Sequence, residues 1–109
     1  MPLHHVVLIS FKPEATDEQR QEIYDRYQTM DTDCGGQEAG ILFWKVEHNL
    51  DLRKGVHLVE SAIFTDNDAL QAFRQHPAHT ALTRVLSQIA DWQVGDFNFS
   101  EQGETGENV

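Results

Sequence analysis

The chain has a single cysteine, Cys34, among its 109 residues, so no disulfide can close within it and no pair of thiolates is available to hold a metal. Proline and glycine are sparse, at 3 and 7 residues against an apolar fraction of 39%, which excludes a low-complexity chain and describes a globular one. Positive charge is scarce too. The 8 Lys and Arg face 18 Asp and Glu, for a formal net charge of −10, and the basic residues form no cluster. Such a surface repels polyanions, so neither nucleic acid nor an anionic membrane is an expected partner. No apolar run approaches a membrane span, and residues 1–5 lack the basic and apolar segments of a secretory signal, so the expected compartment is the cytoplasm. With no repeat and no linker, the expectation is one domain over residues 1–99. The acidic, apolar-poor residues 100–109 are expected to be a disordered tail.

What is present sorts into short periodic segments. Leu3 to Phe11 is rich in β-branched residues and stops at Lys12-Pro13, which predicts a first strand. One of its faces holds His5, Val7, Ile9 and Phe11; the other holds His4, Val6, Leu8 and Ser10. Thr16-Asp17-Glu18-Gln19 fits a capping box, and Ile23, Tyr24, Tyr27 and Met30 form one apolar stripe on a helix running to about Asp31. A second strand is expected from Ile41 to about His48, with Leu42, Trp44 and Val46 on one face. A third is expected over Val56 to Thr65. Asp66 is a plausible N-cap for a short helix carrying Ala69, Leu70 and Phe73. Pro77 then opens a further helix at its first position, with His76 ending the one before. A fourth strand runs from about Asp91 to Phe99.

The order β-α-β-β-α-α-β is that of an α+β, ferredoxin-like fold: a four-stranded antiparallel sheet with helices on one face and the second helix broken at Pro77. The uncovered face, with Val6 and Leu8, would be too apolar for a monomer. Two sheets packed face to face would bury it, which predicts a homodimer in the form of an α/β barrel.

The segments His5-Val6-Val7-Leu8, Lys54-Gly55-Val56-His57-Leu58-Val59-Glu60, Phe73-Arg74-Gln75-His76-Pro77-Ala78-His79 and Ala90-Asp91-Trp92-Gln93-Val94 resemble the stress-responsive dimeric α/β-barrel (Dabb) family from His4 to about Phe99. The resemblance implies dimeric barrels with a cavity between helices and sheet in each subunit. The family includes plant stress-associated proteins, bacterial proteins without an assigned reaction, and a plant polyketide cyclase that works by intramolecular aldol condensation. Carried over from that cyclase, His79 matches the general base. Phe73 stands where the cyclase has the tyrosine of its catalytic pair, and it cannot donate a hydrogen bond. His5, Tyr27 and His57 match other polar members of the cavity.

Strand parity offers a similar cluster. If His5 and Val7 face the helices, His57 and Val59 can share that face on the third strand, with Tyr27 above them and His79 nearby. A neutral imidazole in a helix's first turn is suited to taking a proton from carbon beside a carbonyl. The plainer alternative is that His5 and His57 are core residues satisfied by the backbone, and that His79 is solvated or bonded to backbone. Three imidazoles could also hold a divalent cation, but no helical His pair supports this, and neither metal nor organic cofactor is expected. Phe73 and Val59 complete the expected ligand-binding set. The function these readings lead to is binding, and acid–base transformation, of a small carbonyl-bearing or aromatic metabolite. The alternatives are a non-catalytic stress or structural dimer and, by fold analogy, a cofactor-free oxygenase.

Overall fold

The computed structural model describes residues 1–98. The expected tail at 100–109, with Phe99, lies outside the described residues. The chain forms β1 (Leu3–Phe11), α1 (Asp17–Gln28), α2 (Met30–Asp33), a 3-10 turn (Gly36–Ala39), β2 (Ile41–His48), β3 (Leu58–Phe64), α3 (Asn67–Gln75), α4 (Pro77–Ile89) and β4 (Ala90–Asn98).

The sheet order is β2-β3-β1-β4, and β1–β3, β1–β4 and β2–β3 all pair antiparallel. This is the ferredoxin-like α+β plan. β1 is central and buried at every second residue, with Leu3, His5, Val7, Ile9 and Phe11 beneath the helices. Leu58, Glu60, Ala62 and Phe64 of β3 are buried on that same face. The apolar stripes of the helices close the core with Ile23 and Tyr27, Leu70 and Phe73, and Leu82, Leu86 and Ile89.

Local chemistry fixes the ends of these elements. Thr16 Oγ1 accepts from Gln19 N at 3.1 Å while Thr16 N donates to Gln19 Oε1 at 2.9 Å, so α1 opens on a complete capping box. Helical geometry lapses at Thr29, and α1 is therefore shorter than the sequence suggested. Gly40 sits at φ +89, where a Cβ would come within 2.7 Å of Ala69 Cβ. Glycine there lets the start of α3 press against the approach to β2. In β2 the pairing register shifts between Ile41 and Phe43, which leaves Leu42 exposed and separates it from Trp44 and Val46.

Among the described residues no helix covers the opposite face of the sheet. His4, Val6 and Leu8 lie there beside Ile63, Ser61 and Val59, with Phe97 and Phe43 on the flanking strands. Phe97 is 54% exposed and Phe43 45%. Among the described residues no helix is long and apolar enough to cross a membrane.

Candidate functional site

The break between α3 and α4 uses both of its histidines structurally. Pro77 occupies the first turn of α4, where its missing N–H costs nothing. His76 is extended (φ −64, ψ 136) and acts as the N-cap, its Nδ1 accepting from Ala78 N at 3.1 Å. His79 reaches back to the end of α3, where Nδ1 donates to the otherwise unclaimed carbonyl of Arg74 at 3.2 Å. That bond fixes the tautomer. The proton sits on Nδ1, and Nε2 keeps a lone pair with no partner among the described residues. Burial holds the His79 pKa below its ordinary value, so the ring is neutral near pH 7.

His79 lines a cavity of about 320 Å³ between the helices and the sheet. Its polar lining comes from His5, Tyr27, Glu60, Arg74 and Thr83; Val7, Trp92 and Val94 make the apolar wall. Tyr27 is nearly fully buried, and burial raises the pKa of its phenol, keeping it a donor at all physiological pH. His5 lies between two carboxylates: Nδ1 faces Asp96 Oδ1 at 2.5 Å and Nε2 stands 3.3 Å from Glu60 Oε2. Burial by itself would lower the pKa of His5, but Glu60 and Asp96 outweigh it and raise it. With a carboxylate beside each nitrogen, the doubly protonated ring is the form their charge favours. Asp96 is answered a second time by Arg74 Nη2 at 3.1 Å.

The cavity therefore gathers His5, Tyr27 and His79, and three expected members stand elsewhere. His57 precedes β3 and lines a different cavity, of about 390 Å³, with Phe11, Arg20 and Leu52. Its Nδ1 accepts from Phe11 N at 3.0 Å, and burial with the nearby Arg20 charge lowers its pKa. Val59 pairs with Leu8 and so belongs to the open face. The parity expected for Val59 is thus off by one residue, and a one-residue slip exchanges the faces of a whole strand, whereas His57 lies before the strand begins and packs against the end of β1. Phe73 packs behind His79, with ring centroids 4.5 Å apart, and against Trp44 and Phe64. It buttresses the imidazole without lining the cavity.

Glu60, Asp96, Arg74 and Thr83 were not anticipated. Glu60 left a trace in the sequence, as the lone charge in the alternating set Leu58, Glu60, Ala62, Phe64. Cys34 is buried, and burial pushes its pKa up to about 11, so it is an inert thiol. Arg53 is held in its own loop by Asp51, at 2.9 and 2.7 Å, and does not rim the cavity. Among the described residues no three His, Cys, Asp or Glu side chains are placed to hold a metal ion.

The model of the stress responsive A/B barrel domain matches residues 3–99, almost the whole chain. The chain belongs to this family. An uncharacterized protein of Streptomyces coelicolor is 33% identical over 67 residues, spanning 60% of this chain and 68% of its own length. A dimeric ferredoxin-like protein of unknown function from Thermobifida fusca superposes with a TM-score of 0.77 at 18% identity, covering 91% of this chain and 92% of its own. The hydroxynitrile lyase of Passiflora edulis does so with a TM-score of 0.76 at 15% identity, covering 92% and 94%. At these identities the structural likeness establishes the fold.

Proposed function

We propose that this A/B barrel domain protein is a cytoplasmic homodimer whose cavity binds a small carbonyl-bearing or aromatic molecule and moves a proton on it, with His79 as general base. The observation that carries the reading is the state of His79: neutral, tautomer fixed by the Arg74 carbonyl, and Nε2 unpartnered at a cavity of about 320 Å³. A base in that form takes a proton from carbon next to a carbonyl and leaves negative charge on the carbonyl oxygen. Tyr27 supplies a phenol to that oxygen, and His5, whose protonated form is favoured by its carboxylates, adds a positive field when it carries the second proton. Phe73 cannot orient the imidazole by hydrogen bonding; here the backbone of Arg74 does so. Against a purely structural role stands the space itself, which side chains do not fill. The homodimer reading draws on the exposed apolar sheet face and on the dimeric relative from Thermobifida fusca.

Deuterium uptake at the methyl group of 4-hydroxyacetophenone in D2O, followed by NMR, tests the chemistry. The wild type is expected to speed uptake above buffer, and His79→Gln to lower that rate by about 100-fold or more. Tyr27→Phe is expected to cost about 10-fold or more by removing an oxyanion donor. A wild-type rate equal to buffer, or an unchanged His79→Gln rate, removes the base assignment.

A further inference from the structure

The proton-transfer reading uses His79, Tyr27 and His5, and uses Glu60 only for its charge beside His5. Glu60 is 2% exposed and lines the cavity wall. Its Oε2 is buried and accepts no hydrogen bond among the described residues. His5 Nε2 approaches to 3.3 Å, an ion pair that leaves acceptor capacity on the carboxylate. A carboxylate buried with unused acceptor capacity is unfavourable in the empty protein and is relieved by any donor brought to it. Rotation about the last side-chain torsion, which is soft, presents either oxygen to the cavity.

Charge narrows the kind of donor. With His5 protonated, the form its two carboxylates favour, His5 and Arg74 are positive and Glu60 and Asp96 negative, and the four lie in one connected set. The set sums to zero, so a net-neutral ligand leaves it balanced. A ligand ammonium on Glu60 would face the His5 cation, and a ligand carboxylate would face Glu60 itself. A hydroxyl meets neither repulsion. The remaining wall, from Val7, Trp92 and Val94, suits an apolar body.

We propose that Glu60 is the specificity-determining residue of this cavity, accepting a hydrogen bond from a ligand hydroxyl and so selecting neutral hydroxy-carbonyl compounds. The proposal rests on the reading of the cavity as a site for a carbonyl-bearing ligand. It adds the second functional group that such a ligand carries.

Three probes of similar outline separate the contributions: 4-hydroxyacetophenone, its methyl ether 4-methoxyacetophenone, and 4-acetylbenzoate. Binding to the full-length wild type, by calorimetry or ligand-observed NMR, is expected to favour the hydroxyl probe over the ether by about tenfold or more, as for one hydrogen bond to a charged group. The benzoate is expected to bind at least tenfold more weakly than the hydroxyl probe. In Glu60→Gln the hydroxyl preference is expected to fall below about threefold, and the benzoate to gain affinity. Equal wild-type binding of hydroxyl and ether probes overturns the role of Glu60 while leaving the carbonyl cavity standing. An unchanged preference in Glu60→Gln does the same. Absence of binding by all three probes overturns the carbonyl-site reading, and this proposal with it. The wild-type comparison needs no variant to fold.

Discussion

His5 and His79 line the same cavity and have their pKa values moved in opposite directions, for causes that lie within a few ångströms of each ring. For His79 burial prevails and the neutral ring is favoured; for His5 the carboxylates of Glu60 and Asp96 overcome burial and favour the cation. Each displacement has a consequence for stability. The folded pKa of His79 lies below 6.5, so its contribution is present above 6.5 and lost as pH falls through the folded value. His57 behaves in the same sense. The folded pKa of His5 lies above 6.5, so its contribution is present below 6.5 and lost as pH rises through the folded value. Denaturant unfolding across pH is therefore expected to show a maximum near 6.5. Each limb should span about 1.4 kcal/mol for every tenfold difference in proton affinity between the folded and unfolded chains. His5→Gln should flatten the limb above 6.5, and a limb left intact by that change would contradict the pairing with Glu60 and Asp96.

The α3–α4 junction carries the site at the scale of elements. Its two histidines have separable tasks: His76 caps α4, and His79 closes the end of α3 while presenting Nε2 to the cavity. His76→Ala is expected to cost about 1 kcal/mol of stability, as for other lost N-caps. Its deuterium-uptake rate should stay within twofold of wild type, because the Arg74 carbonyl still fixes the His79 tautomer. Gly40→Ala is expected to cost more, about 1–3 kcal/mol, since it forces a Cβ into a left-handed turn and against Ala69. Chemical denaturation reads both values, and a neutral Gly40→Ala would mean that the α3 contact yields easily. This junction was legible in the sequence because proline and capping rules act over a few residues. The membership of the cavity was less so. Val59 fell away because faces on β3 are set by its pairing with β1, with Glu60 opposite Val7 and Val59 opposite Leu8, and His57 because β3 begins only after it, at Leu58.

The sheet has one face under helices and one face open, and that asymmetry governs the molecule as a whole. Val6, Leu8, Val59, Ile63, Phe43 and Phe97 share the open side, and the proposed homodimer would bury this patch. Light scattering at micromolar concentration is expected to give the mass of two 12.5 kDa chains. Phe97→Asp, which places a charge on the open face, is expected to shift that mass toward one chain with the helical content unchanged. A wild-type mass of one chain would remove the homodimer. Val59, expected in the ligand site, takes its place here.

Local rules acting along the sequence determined the four strands, the capped helices, the break at Pro77 and hence the ferredoxin-like order, because periodicity, caps and proline geometry depend only on near neighbours. His5, Tyr27 and His79 could be proposed from the same rules and from family resemblance. Tertiary structure decided the rest. Strand register turned Glu60 inward and Val59 outward, and β4 brought Asp96 against His5, 91 residues away in the chain. Those pairings set the charge of His5 and leave the Glu60 carboxylate incompletely bonded in the cavity, since electrostatics and burial depend on distance through space.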